Sequence, residues 1–203
     1  SGHADQFVQK FGLNLQSTVA TLEKTWGKNV QVEPSKNLVG QAIPIYSPIS
    51  GELLSLAKVS DETFASGKAG NGFAIKPNDG KVLAPFDATI SQVFTTRHAV
   101  GIVGDNGVAM LIHIGIETVS MRGTGFVSYV EKGDHVKAGT ELLEFWDPAI
   151  KKAGLDDTVI VTVTNSQKFR NFDLLTAAGT VIQANTEEII KLAPATNDSF
   201  MEE

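Results

Sequence analysis

The sequence predicts an all-β fold built from two related units, preceded by one amphipathic helix. Short apolar segments alternate with turns along a chain that contains nineteen glycines and seven prolines, which is typical of many short strands. The segment 45–56 also aligns with 82–93 at an offset of 37 residues, so that Pro48 matches Pro85. This repeat predicts two related β units packed face to face, since neither unit buries its apolar side alone.

Composition excludes several classes of function. The 203 residues are 42% hydrophobic, which is sufficient for one sizeable core. A net charge of -6 without any basic run excludes a nucleic-acid surface. The absence of cysteine excludes disulfides and thiolate metal sites. No apolar run approaches the roughly 20 residues of a membrane span, and no signal peptide opens the chain, so we expect a soluble cytoplasmic domain.

The first segment of the chain carries an apolar stripe with helical spacing. Its members recur every three or four residues: Val8, Phe11, Leu15, Val19, Leu22 and Trp26. The stripe predicts a helix that ends near Gly27 and docks on its own domain or on a neighbouring domain of a longer parent chain. We therefore divide the chain into a helix and linker at 1–41, a main domain at 42–192 and a polar, acidic tail at 193–203.

Two histidines lie in predicted strands. Residues 107–116 form a short apolar run between turn residues, which is typical of a strand covered on both faces. His113 is the one ionisable side chain within that run. An earlier strand is predicted at 90–98 and ends with His98. A histidine in an apolar strand is a candidate functional group, although a core histidine with both nitrogens satisfied is an equally simple interpretation.

The second half of the domain predicts further short elements. Residues 131–140 contain two glycine turns around a short strand, and 141–145 return to the sheet. A short helical turn is expected at 148–153. Residues 158–164 alternate Val or Ile with Thr, which predicts a half-buried strand, and 188–192 predict a closing strand.

Strand geometry suggests a site around the two imidazoles. Residues of one parity share a face of a strand, so Phe94, Thr96 and His98 are expected to point the same way, as are Leu111 and His113. Imidazole is a nucleophile near neutral pH and also a good leaving group. One histidine can accept a phosphoryl group while the other donates a hydrogen bond to its oxygens, and the threonine can fix the tautomer of the second ring. No Walker-type loop is present, so we do not expect ATP as the donor.

The residues 44–192 resemble the glucose-type IIA domain of the bacterial phosphoenolpyruvate:sugar phosphotransferase system. The matching motifs lie in collinear order at 47–52, 70–77, 84–90, 94–99, 111–118, 122–126 and 133–136. The resemblance implies a compact antiparallel β sandwich, of the barrel-sandwich hybrid kind with an internal duplication. It also implies that His113 is phosphorylated on Nε2 by the phosphocarrier protein HPr and passes the group to a sugar-specific IIB domain. His98 matches the supporting histidine, and Thr96 matches the threonine that orients it.

The resemblance further implies a partner-binding rim made by Phe64, Phe94, Leu111 and Gly115. Leu111 stands where enteric members of the family carry a phenylalanine, and Gln167 stands where an aspartate occurs, so partner preference is open. We expect no cofactor and no resident metal. Family members are often fused to membrane permeases, so contact with a membrane is expected only through an attached or partner permease domain.

Other functional classes were weighed against this one. A zinc peptidase of the lysostaphin type needs a His-x-His pair, but His113 is followed by Ile114 and Gly115. A lipoyl or biotinyl carrier is suggested by 133–139, but that segment lacks a modifiable lysine at a symmetric hairpin tip. A IIA-like regulatory domain of a sugar symporter, controlled by phosphorylation from HPr, keeps both histidines and stays open beside the phosphoryl-carrier interpretation.

Overall fold

The computed structural model describes residues 41–195 as an antiparallel β fold with two short helices. Its strands are β1 (Ile43–Tyr46), β2 (Gly51–Ser55), β3 (Asn71–Pro77), β4 (Lys81–Leu83), β5 (Ala88–Val93), β6 (Ala99–Gly104), β7 (Ala109–Ile114), β8 (Phe126–Ser128), β9 (His135–Val136), β10 (Glu141–Phe145), β11 (Val159–Val163), β12 (Phe169–Arg170), β13 (Val181–Ile182) and β14 (Glu188–Pro194). The helices are α1 (Glu62–Ala65) and α2 (Asp147–Lys152). The predicted N-terminal helix lies outside the described residues, and no helix within them is long and apolar enough to cross a membrane.

Three sheets enclose one core. The largest has eight strands in the order β13-β2-β3-β11-β7-β6-β5-β9, and the two smaller sheets are β1-β14-β12 and β4-β10-β8. Phe73, Ile112, Leu143 and Ile190, which come from all three sheets, belong to a single buried apolar cluster. Burying such side chains is the main favourable term in folding. The predicted antiparallel all-β class is confirmed.

The sequence repeat is visible in the strands. β2 begins at Gly51 and β5 at Ala88, which preserves the offset of 37 residues. The strands of both units nevertheless lie in the same eight-stranded sheet, because β11 pairs with β3 from the first unit and with β7 from the second. β11 thus joins the two units edge to edge, while Leu53 of the first unit and Ile90 of the second belong to the same buried cluster. The face-to-face packing of the units stays a prediction.

The centre of the large sheet is buried on both faces. All six residues of β7 are buried, which confirms the prediction for 107–116. All five residues of β11 are buried too, so the prediction of a half-buried strand at 158–164 is wrong. Its alternating threonine does not face solvent, since Thr162 has 0% exposure and its hydroxyl lacks a hydrogen-bond partner among the described residues. A central strand that is covered on both faces buries residues of either parity.

The strand predicted at 90–98 is shorter than expected. β5 ends at Val93, and the chain turns so that the N–H of Arg97 donates to the carbonyl of Phe94 at 2.7 Å. Arg97 has a φ of +54°, a left-handed conformation that no strand can continue. His98 therefore comes just before β6 and does not end β5. The parity argument that placed Phe94, Thr96 and His98 on one strand face is wrong.

The remaining predicted elements are present. Gly133 and Gly139 have left-handed φ values of +96° and +87° and flank β9. β10 returns to its sheet, α2 occupies the predicted helical turn, and β14 is the closing strand.

Candidate functional site

The two histidines meet because β6 and β7 are neighbours. Ala99, which follows His98, is directly paired with His113 in this antiparallel ladder. The backbone is further fixed where the N–H of Ile114 donates to the carbonyl of His98 at 2.8 Å. The two ring centroids lie 4.9 Å apart, and the rings are almost perpendicular at 84°. The structure thus brings together the two histidines that the sequence singled out.

Hydrogen bonding selects the tautomer of His113. Its Nδ1 lies 2.8 Å from the carbonyl oxygen of Gly115. A carbonyl oxygen can only accept, so Nδ1 carries the proton and donates it. In the neutral ring, Nε2 then has a free lone pair. A neutral imidazole nitrogen with a free lone pair can act as a nucleophile, so the role of Nε2 stays a prediction.

His98 has the complementary arrangement. Its Nδ1 lies 2.6 Å from the hydroxyl oxygen of Thr96, while its Nε2 is buried without a hydrogen-bond partner among the described residues. When the hydroxyl donates to Nδ1, the proton of the neutral ring lies on Nε2. An unpaired buried N–H is costly, and an oxygen-rich group bound beside the ring would satisfy it. Thr96 and His98 are thus in contact, as expected.

Burial keeps both rings neutral. His98 has 0% exposure and His113 has 5%. Burial, aided by the neighbouring imidazole of His113, lowers the pKa of His98 from 6.5 to about 2. Burial also lowers the pKa of His113 to about 4, opposed by its hydrogen bond to Gly115 and by the charge of Asp61. Neither ring is protonated at neutral pH, so the lone pair of His113 remains available.

An apolar rim surrounds the imidazoles. The ring of Phe64 lies 5.1 Å from that of His113, and the ring of Phe94 lies 5.5 Å from that of His98, measured between centroids. Leu111 packs with both phenylalanines in a small apolar cluster. The structure thus assembles three of the four residues that the sequence assigned to a partner-binding rim. Their part in binding a partner stays a prediction.

The fourth predicted rim residue, Gly115, has a visible structural role. It has a φ of +72°, and an added Cβ would lie 2.4 Å from Cγ2 of Thr118 and 2.8 Å from the carbonyl oxygen of Asp156. The hydroxyl of Thr118 in turn donates to the carbonyl of Ile114. Sequence reasoning missed this support for the histidine loop. A glycine two residues after the candidate nucleophile was the available signal, since glycine is favoured where φ is positive.

The described residues offer no metal centre. Among residues 41–195, no group of three or more His, Cys, Asp or Glu side chains is arranged to hold a metal ion.

A pair of neutral, buried imidazoles on a β scaffold defines a histidine-centred group-transfer domain. Residues 43–169 match the family model for the phosphoenolpyruvate-dependent sugar phosphotransferase system, EIIA 1. The chain belongs to this family, whose EIIA domains are phosphoryl-transfer components. The resemblance seen in the sequence is thereby confirmed.

Individual relatives agree with this assignment. The "Glucose permease IIA" of Mycoplasma capricolum has a similar structure, with a TM-score of 0.63 and 29% identity, and the match covers 74% of this chain and 96% of that one. The "PTS system glucose-specific EIIA component" of Halalkalibacterium halodurans is 41% identical over 153 residues, which are 75% of this chain and 85% of that protein. Both matches support the EIIA fold.

A second group of relatives is much longer than this chain. The "Raffinose carrier protein" of Pediococcus pentosaceus is 57% identical over 177 residues, and the "Lactose permease" of Lactobacillus delbrueckii subsp. bulgaricus is 47% identical over 174. Each match covers 86% of this chain but only 27% of the relative. The chain thus spans about a quarter of the length of these proteins.

Proposed function

We propose that His113 accepts a phosphoryl group on Nε2 from the phosphocarrier protein HPr. The observation that carries this proposal is the hydrogen bond from Nδ1 of His113 to the carbonyl of Gly115, which leaves Nε2 as the nucleophilic nitrogen. In the transfer, a bond forms between Nε2 and phosphorus as the bond between phosphorus and the donor breaks. The ring needs no base to activate it, because it is already neutral.

His98 supports the transferred group in this proposal. Its partnerless Nε2–H, held by the contact of Thr96 with Nδ1, donates to a phosphoryl oxygen. A preorganised donor in a water-excluded site stabilises developing charge more than a donor in water does. Phe64, Phe94 and Leu111 form the surface that a partner covers, which excludes water from the phosphoryl group.

The test is a phosphotransfer assay with phosphoenolpyruvate, enzyme I and HPr, read by intact mass. We expect one acid-labile phosphate on the native chain and none on His113→Gln. His98→Gln should accept phosphate but pass it on poorly. His135→Gln is the matched control, because His135 is an exposed histidine on the edge strand β9, where it contacts Asp105 at 3.0 Å, and this variant should take up phosphate normally. Phosphate on His113→Gln, or none on the native chain, would refute the assignment.

The phosphoryl group then passes to a IIB domain in the first of two downstream functions. The "PTS system beta-glucoside-specific EIIBCA component" of Dickeya chrysanthemi is 45% identical over 129 residues, which cover 64% of this chain and 20% of that protein. Its name describes an EIIA unit that shares a chain with an EIIB unit. By this analogy the domain serves sugar uptake and phosphorylation on the cytoplasmic side of the membrane.

The second function is control of a sugar carrier, as in a regulatory domain of a symporter. A specific observation favours it. The matches to the raffinose carrier and the lactose permease span 177 and 174 residues, more than the described segment 41–195 contains, so they continue into the flanking sequence. The match to the beta-glucoside component is shorter, at 129 residues. Residues 1–41 then connect the domain to an attached carrier, which tethers it to the membrane.

The two functions are separated by the fate of the phosphate. The phosphorylated chain is mixed with the IIB domain of a beta-glucoside EIIBCA component, and both masses are followed. Rapid transfer of the phosphate from this chain to the IIB domain supports the first function, in which the domain passes phosphoryl groups to a IIB domain. Retention of phosphate, together with a sugar transport rate of the full-length parent that changes on phosphorylation and not in His113→Gln, supports the regulatory domain.

A further inference from the structure

A buried carboxylate lies behind the histidine site, and the phosphoryl chemistry makes no use of it. The side chain of Asp157 is only 2% exposed. It contacts the ammonium group of Lys76, which is half exposed, and lies 4.0 Å from that of Lys151. Burial, and then the adjacent carboxyl of Asp147, raise the pKa of Asp157, while Lys76 opposes both effects. A buried charge is costly unless it is paired, so this carboxylate depends on its lysine.

The backbone around Asp157 holds the loop that follows His113. The N–H of Gly115 donates to the carbonyl of Thr158, and the N–H of Ile116 donates to the carbonyl of Asp156, both at 2.9 Å. These two bonds lie on either side of Asp157. They determine where Gly115 sits, and the carbonyl of Gly115 is the group that accepts the Nδ1 proton of His113.

Two lysines from other parts of the fold, and one set of contacts within the segment, hold residues 156–158 in place. Lys76 reaches it from β3 and also lies 3.8 Å from Asp156. Lys151 reaches it from α2, where it is paired with Asp147 at 2.6 Å. Within the segment, the carboxylate of Asp156 accepts from the N–H and the hydroxyl of Thr158, at 2.9 and 2.6 Å. The lysine of β3 thus adds a side-chain link, beside the backbone ladder of β3 and β11, between a neighbouring strand and the backbone that bonds to Gly115.

We propose that Lys76 and Asp157 are positioning residues for His113: their ion pair holds the segment 156–158, which holds the carbonyl of Gly115 on Nδ1. Neither side chain touches the reacting group. Without the pair, the carbonyl shifts, the Nδ1–H bond weakens, and part of the population places the proton on Nε2, so that this nitrogen has no lone pair with which to attack phosphorus. The expected change in phosphorylation rate rests on the proposed function, whereas the expected change in the tautomer of His113 does not.

The tautomer of His113 can be measured without phosphate. Two-bond ¹H–¹⁵N spectra of the imidazole rings distinguish an Nδ1–H ring from an Nε2–H ring. We expect a single Nδ1–H form of His113 in the native chain and a mixture of both forms in Lys76→Met and Asp157→Asn. Lys76→Arg keeps a positive charge at this position, so it should show the single Nδ1–H form. The control Lys81→Met removes an exposed lysine that lies 3.9 Å from Glu141 in another sheet, and it should leave the spectrum unchanged.

The same variants are then tested for phosphate uptake from phosphorylated HPr. Lys76→Met should lower the maximal rate by about tenfold, within the range that misplacement of a reacting group by about 1 Å produces. The HPr concentration for half-maximal rate should stay the same, since the rim is untouched. Lys76→Arg should recover the rate. Asp157→Asn keeps the side-chain volume and serves as the second probe in case Lys76→Met does not fold.

The outcomes separate this inference from the proposed function. If Lys76→Met and Asp157→Asn lose thermal stability but keep a single Nδ1–H tautomer and the native rate, the pair is purely structural and the inference is overturned. If the native chain accepts no phosphate, the proposed function fails, while the tautomer spectra still decide the positioning role.

Discussion

The burial of His98 and His113 predicts a specific loss of stability in mild acid. In the folded protein the pKa of His98 is about 2 and that of His113 is about 4, both lowered from 6.5 mainly by burial. A histidine in the unfolded chain keeps the ordinary value and takes up a proton as the pH falls below 6.5. Because the unfolded state binds more protons, acid shifts the equilibrium towards unfolding. The stability is therefore complete above pH 6.5 and declines as the pH falls from there towards 4 for His113 and towards 2 for His98.

The size of the expected loss in the free energy of unfolding follows from how far the pH falls below 6.5. At pH 5.0 the unfolded ring is protonated and each folded ring is still almost entirely neutral. One pH unit corresponds to about 1.4 kcal/mol, so each histidine costs about 2 kcal/mol of the free energy of unfolding between pH 7.5 and pH 5.0. Together they account for a loss of about 4 kcal/mol, a large part of the 5–15 kcal/mol typical of a domain.

The assay is urea unfolding followed by far-ultraviolet circular dichroism at pH 7.5 and pH 5.0. His98→Gln and His113→Gln should each lose about 2 kcal/mol less than the native chain over this interval. Any fixed cost of the substitution cancels, because each variant is compared with itself at two pH values. If His98→Gln shows the native pH dependence, the ring is not held neutral by burial and the electrostatic reasoning fails.

Three further substitutions test the geometry of the site. Gly115→Ala places a Cβ against Thr118 in a left-handed conformation, so the free energy of unfolding should fall by about 2 kcal/mol or more, and a native melting curve would contradict this. Thr96→Val removes the partner of Nδ1 in His98, so the free energy of unfolding should fall by about 1 kcal/mol. Both tautomers of the His98 ring should then be visible by ¹⁵N spectroscopy. An unchanged ring spectrum would show that the hydroxyl does not select the tautomer. Phe64→Ala should raise the HPr concentration for half-maximal phosphorylation more than it lowers the maximal rate, and the opposite pattern would remove this residue from the docking rim.

Local pattern was sufficient to predict the strand that carries His113. The run at 107–116 is apolar throughout, and β7 is buried throughout, because a strand in the middle of a covered sheet has no solvent face. The same principle explains the error at 158–164. Alternating threonines indicated a solvent face, but Val161 packs in the main core and Ile160 in a second apolar cluster. Both faces of β11 are therefore covered, which its own alternation did not reveal.

The contact between the two histidines needed information beyond periodicity. The apolar pattern continues past Val93, and nothing in its spacing marks the turn at which Arg97 becomes left-handed. His98 reaches His113 through the pairing of β6 with β7, and not through strand parity. The strand pattern singled out both histidines but placed His98 at the end of β5, whereas it lies just before β6. The roles that the family resemblance implies for the pair stay predictions.

The ion pair of Lys76 with Asp157 could not be predicted from the sequence. Lys76 and Asp157 lie 81 residues apart in the chain. Each reads as an ordinary surface charge, since Lys76 comes near the end of a strand and Asp157 stands in a polar stretch before β11. Only the pairing of β3 with β11 brings them together and places the carboxylate in the interior.

The cost of burying the histidines and their proposed reactivity have the same physical origin. An exposed imidazole with a pKa of 6.5 is partly protonated at neutral pH, and its two neutral tautomers exchange, so no single nitrogen is always ready to attack. Burial removes the protonated form, and the carbonyl of Gly115 removes one tautomer. What remains is a ring with one defined lone pair. Under the proposed function, the protein gives up stability in acid in return for a nucleophile that needs no base. The phosphoryl group would then accept a hydrogen bond from Nε2 of His98, which has no partner among the described residues.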